Sequence, residues 1–202
     1  MNLIQTFSIL TIIMTSVAII CLIMLHVLPT GYTPIRDAVS DYGVGSYRGW
    51  FWLQVVAGGL ACLFLAIALS QLRPFTPTNV VIALLVTTVS RILLPFFATD
   101  QGGSRFQTIQ GSIHMILAVF NFGGLVWAAK ALWATLSHYP VWQDAESLLN
   151  ILASVMLWCV IAVVVGLVIP WFKNFFGLFE RLFLLSTYLW FFFISIELVR
   201  LG

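Results

Sequence analysis

Charge is what this sequence has least of. Only 8% of its residues are Asp, Glu, Lys or Arg, where soluble domains carry about 25%. With 61% of the chain hydrophobic, the polar surface on hand cannot cover such a core in water. The solvent for most of the chain is therefore lipid. The nine Lys and Arg residues form no basic patch or stripe, which excludes nucleic acid as a partner. Cys21, Cys62 and Cys159 are odd in number, lie inside apolar runs and never reach CxxC spacing. They read as small packing residues, with no disulfide framework and no thiolate metal site. No HxxxH or HExxH spacing occurs. The first residues, "MNLIQTF", carry no Lys or Arg and so lack the basic region of a signal peptide. Cys21 follows "VAII", whose final Ile does not suit a lipoprotein cleavage box. The opening run is accordingly read as a membrane span. No internal repeat or long polar linker divides the chain.

What is abundant is apolar length. About 20 apolar residues carry a helix across the hydrocarbon layer, and six stretches reach that length: Phe7 to Leu28, Trp50 to Leu72, Val80 to Ala98, Ile113 to Leu136, Leu148 to Ile169 and Leu182 to Val199. The breaks carry turn chemistry in "LPTGYTP", "RPFTPTN", "TDQGGS", "SHYPVWQDAES" and "IPWFKNFFG". Trp50, Trp52, Trp133, Trp142 and Trp171 fall near span ends, where headgroups favour amphipathic rings. Gly58-Gly59 and Gly123-Gly124 allow helices to approach closely. The expectation is an all-α, polytopic transmembrane bundle of six helices, formed by residues 1–202 as one domain. An even count puts both ends on one face, side A. Side A has Arg73, Lys130 and Arg200 near span ends, and side B has Arg36, Arg48, Arg105, Lys173 and Arg181. This bias slightly favours side B in the cytoplasm.

Side B also gathers the remaining polar residues. The stretch "PIRDAVSDYGVGSYR" holds Arg36, Asp37, Asp41 and Arg48. It reads as a short interfacial helix, with Thr33 as N-cap, Pro34 at the first position and Gly43 at the end. On that helix Arg36, Asp37, Ser40 and Asp41 share one face. Asp37 and Asp41 stand one turn apart, where like charges repel, so a cation should compensate them. Asp100 ends the third span, His114 opens the fourth with Ala118 and Asn121 below it, and His26 ends the first. Glu180 and Arg181 open the sixth span, and Gln54 lies one turn into the second. Asp144, Glu146, Glu197 and Arg200 read as a solvated rim on side A. Arg91 is the deepest charge, near the middle of the third span, where it costs about 2.5–3.5 kcal/mol before pairing. Pro95 cannot donate to its carbonyl, so the helix is loosened there. Arg91 is expected to turn inward to an acid, Asp100 or Asp41.

Four segments carry a resemblance: "DAVSDYG" after the first span, "LPFFATD" ending the third, "HMILAVF" opening the fourth and "GLFERL" entering the sixth. In that order and spacing the chain resembles the bacterial and archaeal six-span family "DUF 998", a domain of unknown function. That family is distantly similar to eukaryotic six-span proteins of the Frag1/DRAM/Sfk1 type, which are associated with lipid handling. The resemblance implies an architecture and a place in the bacterial or archaeal plasma membrane. It hands over no reaction.

Three readings of side B stay open. Its polar groups hold the bundle together; or Arg36, Asp37, Asp41, Arg91, Asp100 and His114 bind a lipid headgroup or small molecule; or a lipid-directed hydrolase or transferase uses Ser40, Asp41, Asp100 and His114. A metal version of the last would draw on His26, His114 and Asp100, a weak set on separate spans. No cofactor is predicted, and the expected partners are membrane lipids.

Overall fold

The computed structural model describes residues 1–72, 76–100, 106–136 and 142–201, without the side chains of 143 and 144. Arg73, Arg105 and the Asp144 side chain therefore lie outside the described residues. Six long helices carry the chain: α1 (Leu3–Val27), α2 (Arg48–Ser70), α3 (Thr78–Leu93), α4 (Ile109–Leu136), α5 (Gln143–Val168) and α6 (Phe176–Leu201). All six are long and apolar enough to cross a membrane, α3 when its 3-10 continuation to Phe96 is included. The six-span reading holds, with shifted ends. α1 starts earlier because Asn2 caps it: its side chain accepts from the Gln5 N–H at 2.9 Å, and Gln5 returns the bond to the Asn2 N–H at 3.2 Å. The aromatic break before the sixth span is itself a 3-10 turn, Phe172–Phe175, running directly into α6.

Each helix packs on its neighbours in sequence, and α6 returns onto α1 to close the ring. Across the centre, α2 also touches α6. The loosest seam joins α4 to α5. Burial runs opposite to that of a water-soluble protein. Ile13, Ile20, Trp158 and Val164 stand exposed, while Thr11, Gln54, Thr87, Arg91 and Ser195 are buried. Apolar side chains face outward because lipid is their solvent, and helix contact relies on small residues. The cysteines are free and buried, as expected. Trp142 departs from the interfacial expectation: it is buried at the start of α5.

α3 is short. Its 16 residues reach about 24 Å at 1.5 Å each, against a hydrocarbon core of about 30 Å. Pro95 is the cause. It has no N–H for the Arg91 carbonyl, so the α-helix stops at Leu93 and continues as a 3-10 turn, Leu94–Phe96. Arg91 thus sits in the last turn of α3, not near the middle of a span. There the carbonyl end of the helix favours a cation.

Gly124 and Gly123 make a matched test of close packing. A Cβ on Gly124 would collide with the Thr87 hydroxyl and stand 3.2 Å from the Ala83 carbonyl, whereas one on Gly123 meets nothing within 4 Å. Gly124→Ala should lower stability in detergent by about 1–3 kcal/mol. Gly123→Ala should leave thermal unfolding unchanged or slightly raised.

Candidate functional site

Arg91 is 1% exposed, and three helices reach its guanidinium. Nε donates to the Val55 carbonyl of α2 at 3.3 Å, Nη1 to Asn121 Oδ1 of α4 at 3.4 Å, and Nη2 to the Tyr188 hydroxyl of α6 at 3.1 Å. Gln54 of α2 donates to the same Tyr188 oxygen. The cation also faces the Tyr188 ring, 5.9 Å from its centroid. Gly58 makes room for it, since a Cβ there would lie 2.6 Å from Arg91 Cζ. The expected acid is not there. Among the described residues the ion pairs are Arg36–Asp37 and Arg200–Glu197, and every hydrogen-bond partner of Arg91 is neutral. α3 ends before it can carry Asp100 back to Arg91, and the carboxylate turns away to cap α4.

Asp100 accepts from the backbone N–H of Gln107 at 2.8 Å and of Thr108 at 3.3 Å, and from the Thr108 hydroxyl at 2.7 Å. The Thr108 hydroxyl in turn accepts from the Gly111 N–H at 2.9 Å. Negative charge at a helix start satisfies free N–H groups. One turn further, His114 is buried, with Nδ1 2.8 Å from the Phe97 carbonyl. A carbonyl only accepts, so Nδ1 bears a proton. His114 thereby serves a main-chain oxygen in the extended segment that follows the 3-10 turn.

The segment 33–43 is not one amphipathic helix. The Asp37 N–H closes a single turn on the Thr33 carbonyl at 2.8 Å; Ala38 is extended (φ −66°, ψ 151°), and a 3-10 helix, Val39–Gly43, follows. Asp37 and Asp41 therefore share no helical face. Each serves its own turn: Asp37 accepts from the Thr33 N–H at 2.6 Å, Asp41 from the Ala38 N–H at 2.9 Å. Local side-chain bonds of this kind compete with helix, which is why the break falls here.

This strap is tied to the start of α6. Glu180 accepts from the Val39 N–H at 2.7 Å. Arg181 donates to the Asp37 carbonyl at 2.8 Å, the Tyr42 hydroxyl at 3.1 Å and His26 Nε2 at 2.6 Å. His26 Nδ1 donates to the Leu22 carbonyl at 2.6 Å, and its Nε2 accepts from Arg181. Gly177 permits the approach: a Cβ there would collide with the Asp37 carbonyl and lie 2.7 Å from that of Pro34. The Asp37 carboxyl lies below its ordinary value. Burial pushes it up, but the Thr33 N–H, the Arg36 hydrogen bond and charge, and the Arg181 charge together outweigh that.

Two cavities separate most of the predicted residues, and Ser40 and His114 also border a third space of about 210 Å³ beside Phe97 and Thr99. Arg36, Asp37 and Asp41 line a crevice of about 930 Å³ on the side B surface, with Lys173 and Asn174 opposite. Ser40, Arg91 and His114 line a second cavity of about 190 Å³ inside the bundle, with Gln54, Asn121 and Glu180. Its remaining wall is apolar. Val119 on α4 and Val164 on α5 line it and are more than half exposed, so the cavity opens to lipid through the loose α4–α5 seam. Leu167 and Phe176 border both spaces. Among the described residues no three His, Cys, Asp or Glu side chains gather as a metal site. Sequence reasoning passed over Tyr188; its only signal is a Ser-Thr-Tyr run inside an aromatic span.

A family model described as "Protein of unknown function (DUF998)" matches residues 12–197, and the chain belongs to that family. Neither a curated protein nor a solved structure matches it.

Arg91→Ala should lower stability by about 2–5 kcal/mol through the cavity and lost bonds. Arg200→Ala, which removes an exposed pair with Glu197, should stay within about 0.5 kcal/mol in the same thermal assay. For Asp37, a folded pKa below the unfolded 3.8 means its contribution is whole above that value and is lost as pH falls through the folded one. Hydrogen exchange of the Thr33 amide, which Asp37 holds, should be flat, after correction for intrinsic rates, from about pH 7 to 5 and rise below about pH 4. In Asp37→Asn it should be raised throughout and lack that acid step.

Proposed function

We propose that this integral membrane protein binds a lipid headgroup or small amphiphile in the cavity between α4 and α5, in a bacterial or archaeal plasma membrane. The observation that carries this reading is the form of that cavity. Binding sites are concave and mostly apolar, with few convergent polar groups. Here an apolar wall ends on Arg91, Asn121, Gln54 and His114, while Val119 and Val164 open the other end to lipid. The ligand comes from the membrane, because the mouth faces acyl chains. The surface crevice of Arg36, Asp37, Asp41 and Lys173 lies beyond Leu167 and Phe176, and a polar head has water within reach there.

A second reading has its own observation. Ser40 and His114 both line this cavity, a hydroxyl and an imidazole on one ligand-sized space. Under it the protein is a lipid-directed hydrolase or transferase, and Asp100 and Asp41 contribute by shaping the loops that hold the pair.

Extraction and mass analysis of lipids retained by the protein, purified in a mild detergent, tests the binding reading. Val164→Trp, which fills the mouth, should strip the retained amphiphile. Val155→Trp, on the same helix outside the cavity, should keep it. Equal retention by both variants would overturn the reading. Under the catalytic alternative, wild type releases free acid from a bound ester, and Ser40→Ala holds the ester intact.

A further inference from the structure

We infer that the ligand of this cavity is a single-chain amphiphile with a small oxyanion head, a carboxylate or a phosphate monoester, held by Arg91. The inference rests on the binding reading above and names its ligand class.

Charge carries it first. Arg91 is the cation in the cavity wall, it is buried, and its partners Val55, Asn121 and Tyr188 are neutral. Buried charges are otherwise paired or coordinated, since desolvation is costly. A guanidinium has five N–H groups. Three are taken, one each from Nε, Nη1 and Nη2. One on each terminal nitrogen remains, the number a two-oxygen anion needs for a bidentate contact. Val55, Asn121 and Tyr188 also hold the guanidinium in one orientation before any ligand arrives, which lowers the cost of binding. Glu180, the carboxylate in the same wall, is turned to the strap, where Oε2 accepts from the Val39 N–H.

Size and shape carry the rest. About 190 Å³ is below the roughly 300–1,000 Å³ of pockets that enclose a whole drug-sized ligand. It takes a small head and the first few methylenes. The remainder of the chain leaves between Val119 and Val164, where exposed apolar side chains already face lipid. A space of that volume leaves no room for a bulky head or a second acyl chain beside the first. The apolar wall of Met115, Val119, Val160 and Val164 suits methylenes.

The test is a panel of twelve-carbon probes, measured by native mass spectrometry of the whole protein in an uncharged detergent at about pH 8. The panel holds dodecanoate, dodecyl phosphate, monododecanoyl glycerol and dodecylamine. At least one anion should bind the wild type about tenfold or more tighter than the neutral and cationic probes, the scale of a hydrogen bond to a charged group. Which of dodecanoate and dodecyl phosphate binds tighter assigns the head as carboxylate or phosphate. Arg91→Gln should abolish the preference, Arg91→Lys should retain it in part, and Val164→Trp should weaken every probe. If Arg91→Gln does not fold, the wild-type panel with Arg91→Lys decides. Wild-type binding of the glyceride or the amine as tight as the anions, still sensitive to Val164→Trp, would overturn the anionic class and leave the cavity reading standing. Binding of every probe unaffected by Val164→Trp would overturn the cavity reading itself.

Discussion

The bundle is organised around one buried positive charge that cannot leave. Arg91 sits where four helices meet, its own α3 with α2, α4 and α6, buried away from the surface of the bundle. Lipid tails are as apolar as the helices, so burying oil against oil drives little association in a membrane. Hydrogen bonds to a charge are among the stronger contacts available there. Val55, Asn121 and Tyr188 each come from a different helix, and Gln54 joins α2 to α6 through the same phenol oxygen. The glycine at 58 then follows from this charge, because a larger residue would occupy the guanidinium's place.

Pro95 sets the second constraint. By ending α3 short it brings Arg91 to a helix end and leaves an extended segment to finish the crossing. The polar groups of that segment need partners. His114 meets the Phe97 carbonyl, and Asp100 turns back to cap α4. The strap before α2 is handled in the same way, with Glu180 and Arg181 holding its backbone against α6. Most charges of side B are thus engaged with main-chain atoms. Arg91 differs in place: it is a cation in the wall of the inner cavity, held by groups from three other helices. That difference moves attention from the acidic strap, conspicuous in the sequence, to a quieter arginine beneath it.

The sequence by itself determined the solvent, the number of spans and the polar asymmetry between the two faces. Those properties are local: apolar length, turn residues at the breaks, and the end of the chain at which each charge falls. They are therefore legible one segment at a time. It also flagged the weak point at Pro95, because a missing N–H acts on the residue four positions back whatever surrounds it, but it set Arg91 near mid-span where the structure puts it in the last turn of α3. Partnerships were not legible in this way. A carboxylate was the natural expectation for Arg91, yet the tertiary structure supplied an amide, a phenol and a carbonyl from three other helices. Which helix faces which depends on the closing of the ring, and no periodicity within a span records it. The strap is a similar case. Thr33, Pro34 and Gly43 satisfy the rules for a helix, but Asp37 and Asp41 found nearer N–H groups, and α6 offered Glu180 to the Val39 N–H. Only the tertiary structure could choose there, because the competing hydrogen bonds are nearly equal in energy and the deciding partner lies 141 residues away.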